Sequence, residues 1–180
     1  MNAVNFLITT VFDLYIMVVL LRIWLQAARA DFYNPFSQFI VKATQPVLKP
    51  LRRVIPSMGR LDTATILFAF AVACLKVTVL TLVMGLAINP PVLLLSALVI
   101  VIGATFKLIF WVLILRAILS WVGQGRNPIE GVMIQLTEPL LAPVRRIIPP
   151  IGGLDLSMMV VIIALQFIKM LVNGWISNLF

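Results

Sequence analysis

The sequence predicts an all-α membrane protein: four transmembrane helices forming two parallel helix-loop-helix repeats, with amphipathic or re-entrant basic hairpins between helices 1–2 and 3–4. Three observations predict it. The 180 residues are 62% hydrophobic and 11% charged, with mean hydropathy +1.13, whereas soluble domains are nearer half apolar and about a quarter charged. Apolar runs long enough to cross ~30 Å of hydrocarbon, about 20 helical residues, occur four times. The phrase TQPVLKPLRRVIP at 44–56 also returns as TEPLLAPVRRIIP at 137–149, 93 residues later.

Taken in order, the first span covers 4–28. Its N-terminal flank lacks a basic segment and an A-x-A site, so it reads as a retained helix rather than a cleaved signal peptide. A basic hairpin follows at 29–61, then a second span at 63–88. Asn89-Pro90-Pro91 predicts a tight turn, because proline restricts its own backbone and that of the residue before it. The third span, 92–122, is longer than a crossing needs; it predicts a tilt, a kink near Gly103, or a part outside the bilayer. A second basic hairpin occupies 123–154 and the fourth span 156–176. The repeats are therefore 1–88 and 92–180.

Charge sets the orientation. The hairpins hold Arg29, Lys42, Lys49, Arg52, Arg53, Arg60, Arg126, Arg145 and Arg146, while the chain ends and the 89–91 turn hold no Lys or Arg. Cytoplasmic loops carry such an excess, so both hairpins are expected inside the cell and both termini in the periplasm. The net charge of +8 then points to anionic lipid headgroups, with no direct nucleic-acid partner expected.

Across 34–62, 13 of 29 residues are identical to those 93 positions later, including Thr44/Thr137, Arg52/Arg145, Arg53/Arg146 and Asp62/Asp155. Upstream the offset becomes 94, where Arg22 meets Arg116 and Asp13 meets Lys107. Each repeat crosses twice, so both copies keep one orientation, which implies a pseudo-two-fold axis along the membrane normal. Within the loops, Asn34-Pro35 and Asn127-Pro128 are expected helix starts. A short apolar helix is expected after each, with Pro50 and Pro143 breaking the turn that follows Thr44 or Thr137. Gly59 and Gly152 follow the arginines, and Asp62 and Asp155 are expected to cap the next membrane helices. The bent loop fits an interfacial hairpin whose arginines reach phosphates or the capping aspartates. It also fits a re-entrant loop screened by protein or water.

Asp13, Arg22, Lys76, Lys107, Arg116 and Lys169 fall inside the spans. Ionisable residues there usually face partners or water. Asp13, Lys76, Lys107 and Lys169 are expected to share a polar layer nearer the outer face. One arrangement pairs Asp13 with Lys107 while Lys76 and Lys169 snorkel outward; the other lines a path for an anion, a headgroup or water. Arg22 and Arg116 are expected to snorkel to the cytoplasmic headgroups.

No catalytic residues are expected. There is no histidine and a single cysteine, Cys74, so an internal disulfide and a Cys/His pair are absent, and no metal or cofactor is expected. Gly152-Gly153 has no following lysine to make a phosphate loop. Ser120 and Ser157 have no histidine base, and the four tryptophans read as interface anchors or packing.

The stretch RAILSWVGQGRNPIEGVMIQLTEPLLAPVRRIIPPIGGLDLS, 116–157, resembles the defining motif of the YggT family of small bacterial integral membrane proteins. The first copy resembles it with more drift: Ser57, Arg60 and Thr63 stand where the second has Pro150, Gly153 and Leu156. The resemblance implies a bacterial inner-membrane protein with no assigned enzymatic activity. It also implies links to cell-division gene neighbourhoods and to osmotic-stress tolerance with potassium uptake. Plastid and cyanobacterial relatives are associated with nucleoid distribution and cytochrome assembly. Two functions are therefore expected in outline. One is a scaffold or assembly factor using Arg52, Arg53, Arg145 and Arg146 to hold anionic lipid or a membrane partner. The other is an ion or osmolyte conduit, which from four helices requires a homo-oligomer.

Overall fold

The computed structural model describes residues 2–55, 62–122, 128–148 and 155–177. These form six helices: α1 (Ala3–Ala27), α2 (Pro35–Val54), α3 (Thr63–Val83), α4 (Pro90–Val122), α5 (Pro128–Arg145) and α6 (Leu156–Ser177). There is no strand among the described residues. Helices α1, α3, α4 and α6 are long and apolar enough to cross a membrane. The expectations for Asn127, Gly59, Gly152, Arg60 and Arg126 lie outside the described residues.

Two boundaries differ from the sequence expectation. The second span ends at Val83, not Ile88, because Gly85 takes a left-handed conformation, φ +69°. Its N–H donates to Leu82 O and that of Leu86 to Thr81 O, each at 3.0 Å. These are the two bonds that close a helix around a glycine without a Cβ penalty. The expected turn at 89–91 is instead the start of α4. Asn89 O accepts from Leu93 N at 2.9 Å, and Pro90 and Pro91 occupy the first turn, where no N–H is needed. Helix α4 then runs through Gly103 without interruption.

The larger correction concerns the basic loops. Each was expected to break at its prolines, yet α2 runs unbroken through Pro46 and Pro50, and α5 through Pro139 and Pro143. The reason is the four-residue spacing. Each pair of prolines lies on one face, and all four are exposed. The carbonyls they deprive of a donor belong to Lys42 and Pro46 in α2, and to Gln135 and Pro139 in α5, all exposed too. The opposite face is untouched: Ser37, Ile40, Thr44 and Leu48 form a fully buried stripe on α2 at the i, i+3, i+4 spacing of one helix face. Asn34 starts α2, its side chain accepting from Phe36 N at 2.9 Å and its carbonyl from Gln38 N at 2.9 Å.

The contacts divide the chain into two compact units. Unit 1 comprises Met1–Ala27 and Phe39–Thr105; unit 2 comprises Ala28–Gln38 and Phe106–Phe180. Of the three divisions, the first falls at the end of α1 and the other two inside α2 and α4, so the units do not share the bounds of the sequence repeats. Unit 1 is built on α1 against α3. Each helix buries one stripe, Ile16, Val19 and Leu20 on α1 and Ala69, Val72 and Ala73 on α3. Between membrane helices close van der Waals approach replaces the hydrophobic drive, and small residues permit it. Tyr15 and Phe68 add an edge-on ring contact, centroids 6.0 Å apart. In unit 2, Leu113, Leu141 and Met158 form the buried centre, joining α4, α5 and α6.

Candidate functional site

Each unit turns one arginine of a long apolar helix onto the helix of its basic arm. Arg22 is 5% exposed. It donates from Nη1 to Thr44 Oγ1 at 3.1 Å and from Nη2 to Gln45 Oε1 at 3.3 Å. Thr44 is an acceptor here because its hydroxyl proton is given to Ile40 O, 2.8 Å away, one helical turn back. Unit 2 repeats the arrangement. Arg116, 8% exposed, donates to Thr137 Oγ1 and, from Nη2, to Glu138 Oε2 at 3.1 Å. Thr137 in turn donates to Met133 O at 2.6 Å. Neither arginine snorkels, contrary to the sequence expectation. Each finds side-chain acceptors one helix away for its two terminal nitrogens, in place of the water or headgroups that snorkelling would have supplied.

A second arginine ties the end of each arm to the start of the next long helix. Arg52 donates from Nε to Asp62 Oδ2 at 3.0 Å, with Nη2 on the same oxygen. Asp62, 2% exposed, is the N-cap of α3. It accepts from Thr65 N at 3.3 Å and Thr65 Oγ1 at 2.6 Å. In unit 2, Arg145 donates from Nε to Asp155 Oδ2 at 3.0 Å, again with Nη2. Asp155 accepts from Ser157 N at 3.2 Å and from its hydroxyl. The charges suit their places, because a helix C-terminus favours a cation and an N-terminus an anion. Burial opposes ionisation of Asp62, but the bonds from Thr65 and Arg52 outweigh it and hold the carboxyl below the ordinary aspartate range. Asp155 is lowered in the same way: burial is overcome by Arg145 and Ser157. Its hydrogen bond holds the Arg145 guanidinium above the ordinary arginine value, with Glu138 adding to the effect.

Among the charged and amide side chains the two latches differ at one position. Glu138 bridges both arginines of unit 2, because Arg145 Nη1 reaches its two oxygens at 3.0 and 3.2 Å while Arg116 holds Oε2. Its counterpart in unit 1 is Gln45. The unit 2 latch thus balances Arg116 and Arg145 with Glu138 and Asp155. The unit 1 latch sets Arg22 and Arg52 against Asp62 alone.

The remaining site residues separate. Arg53 and Arg146 are exposed, so each adjacent arginine pair splits into one internal member and one outward member. Lys76 is 7% exposed and donates from Nζ to Asp13 Oδ1 at 2.5 Å. Asp13 thus has Lys76 of its own unit as a partner, where the sequence expectation offered Lys107, because α1 packs on α3. Lys107 is exposed and Lys169 half-buried, and neither has an acid partner among the described residues. Sequence reasoning missed Arg22 and Arg116 as internal donors. The available signal was that an arginine and a threonine recur together in both copies. Among the described residues no group of three or more His, Cys, Asp or Glu side chains could hold a metal ion.

Four apolar spans, two proline-bearing basic arms and a repeated arginine–aspartate latch define the class: a multi-pass helical membrane protein. The sequence profile of the CCB3/YggT family matches residues 1–83 and 95–176. The chain belongs to that family. It is 62% identical over 182 residues to an uncharacterized protein of Vibrio alginolyticus encoded in the proC 3′ region, covering 98% of this chain and 97% of the relative. It is 51% identical over 170 residues to the uncharacterized protein YggT of Escherichia coli K12, covering 94% and 89%. An uncharacterized protein of Pseudomonas aeruginosa is 42% identical over 181 residues, covering 99% and 90%. No solved structure matches the chain.

Proposed function

We propose that this protein is a non-enzymatic scaffold, an assembly or stress-tolerance factor of the bacterial inner membrane. Its two basic arms engage anionic lipid or a membrane partner at the cytoplasmic face. In this reading the repeats insert in parallel about a pseudo-two-fold axis, with both termini periplasmic, as the basic arms require. One observation carries it: the latch consumes Arg52 and Arg145 and leaves Lys42, Lys49, Arg53 and Arg146 exposed. On α2, Lys42, Lys49 and Arg53 share the outer surface with exposed Phe39, Val47 and Val54. Cations beside apolar side chains suit a helix lying at the headgroup–acyl boundary, where each Lys or Arg near the surface is worth about 1 kcal/mol. The interfacial arm is therefore preferred to the re-entrant one.

The test is lipid retention. The parent and a variant carrying Lys42→Gln, Lys49→Gln, Arg53→Gln and Arg146→Gln are purified from membranes of mixed lipid. Retained phosphatidylglycerol falls several-fold in the variant on this reading, and equal retention refutes it.

A second reading rests on Lys107, an exposed cation in the same long span as the buried Arg116. Such a residue is costly facing lipid. In an ion or osmolyte conduit formed by several copies it would face water or a neighbouring chain. Ion flux through proteoliposomes of the parent, lost on Lys107→Gln with Lys169→Gln, would favour that reading; a parent without flux removes it.

A further inference from the structure

Unit 2 shows what a completed latch looks like, and unit 1 lacks one piece of it. Where Glu138 places a carboxylate between Arg116 and Arg145, unit 1 has at the equivalent position the neutral amide of Gln45, which accepts from Arg22, while the Arg52 charge lies near enough to act on Arg22. Three donors are left over. Arg22 Nε is buried without a partner. Arg52 Nη1, the counterpart of the atom that grips Glu138, has no acceptor among the described residues. The Gln45 amide keeps its N–H groups, since its oxygen accepts from Arg22. A nearly buried guanidinium with no carboxylate beside it is an uncompensated charge, and such charges are strongly destabilising unless paired. Gln45 is exposed and the Arg52 side chain is 35% exposed, so the place opens to the surface.

We propose that unit 1 binds a phosphate-group oxyanion between Arg22, Gln45 and Arg52, in the place where unit 2 carries the carboxylate of Glu138. Guanidinium groups present paired N–H donors that match phosphate oxygens. The phosphate comes from a phospholipid headgroup or from free phosphate; the donors are the same for both. This inference deepens the lipid-engaging reading and rests on it for the lipid source alone, because the donors themselves are set by the fold of unit 1.

The two copies supply reciprocal variants. Gln45→Glu builds the missing carboxylate into unit 1, and Glu138→Gln opens the equivalent place in unit 2. Thermal unfolding of the whole protein is followed in neutral detergent with sodium phosphate against sodium chloride at matched ionic strength. It is repeated in phosphatidylcholine nanodiscs with and without phosphatidylglycerol. The parent midpoint rises with phosphate or phosphatidylglycerol beyond any effect of chloride. In Gln45→Glu the midpoint starts higher and the apparent affinity falls about tenfold or more, since a carboxylate now occupies the place and repels the ligand. Glu138→Gln increases the response by adding a second site. A response in detergent assigns free phosphate; a response confined to phosphatidylglycerol discs assigns the headgroup. The proposal is overturned if the parent responds to neither, if chloride acts equally, or if Gln45→Glu responds like the parent. Should Gln45→Glu fail to fold, a response in Glu138→Gln no larger than the parent's overturns it. Phosphatidylglycerol retention that depends on the arm cations while the Gln45 effect is absent leaves the arm reading standing without this site. A Gln45-dependent response with unaltered retention in the arm variant does the reverse.

Discussion

Unit 1 and unit 2 share the arginine–threonine and arginine–aspartate bonds of their latches but place their other carboxylates differently. Unit 1 has an acid in the membrane, Asp13, bonded to Lys76, and an amide, Gln45, in its latch. Unit 2 has lysines at both corresponding membrane positions, Lys107 and Lys169, and an acid, Glu138, in its latch. The hydrogen bonds that hold each arm down, arginine to threonine and arginine to capping aspartate, are common to both. The shared bonds therefore maintain the shape of each copy, while the differing charges are where the copies can take separate roles.

Four perturbations break or sharpen that comparison. The largest is at the caps. Asp62→Ala removes an N-cap and the partner of Arg52 from a site 2% exposed. Its expected cost is about 3 kcal/mol, combining cap loss with a broken, part-buried ion pair. Asp155→Ala, at a pair about one-third exposed on both sides, should cost about 1–2 kcal/mol. Apparent melting temperatures in detergent compare the two, and equal shifts would mean that burial does not distinguish the latches.

Next comes the membrane pair. Asp13→Asn leaves Lys76 charged and buried without its acid, at about 2–3 kcal/mol on the scale for membrane lysines. Lys107→Gln, at the equivalent position of unit 2, should leave the melting temperature unchanged. An unchanged melting temperature in Asp13→Asn would show that the pair contributes nothing to unit 1.

Glu138→Gln is smaller again. It converts the unit 2 latch to the unit 1 composition in a side chain 43% exposed, and about 1 kcal/mol is expected after allowing for solvent screening. The measurement is the melting temperature in chloride alone, where no phosphate can compensate.

The mildest is acid. Asp62 and Asp155 both have folded-state values below the ordinary aspartate value. Their contribution is fully present above that ordinary value and is lost as pH falls through the lower folded one. Only the foot of the loss is seen in mildly acidic buffer. The melting temperature should decline gently there, and Asp62→Asn with Asp155→Asn should flatten the decline. A double variant as acid-sensitive as the parent would place the sensitivity elsewhere.

Much was legible in the residues alone. The four apolar spans declare themselves because bilayer thickness demands a run of apolar residues that any local count detects. The family was legible in the long proline–arginine–glycine–aspartate spacing, stated twice. The arms were misread because proline was judged by its local effect. A lone proline breaks a helix, but two prolines four apart put both defects on one exposed face and leave the buried stripe of Ile40, Thr44 and Leu48 intact.

Hydropathy, charge asymmetry and the internal repeat are properties of neighbours along the chain, and they determined that this is a helical membrane protein with two basic arms. Partner choice is a property of neighbours in space. Nothing in the order of residues says that Arg22 turns to Thr44 rather than to headgroups, that Asp13 meets Lys76 rather than Lys107, or that Glu138 serves two arginines at once. Those choices follow from how closely helices approach and in which register, which the packing of α1 on α3, and of Leu141 with Leu113 of α4, decides.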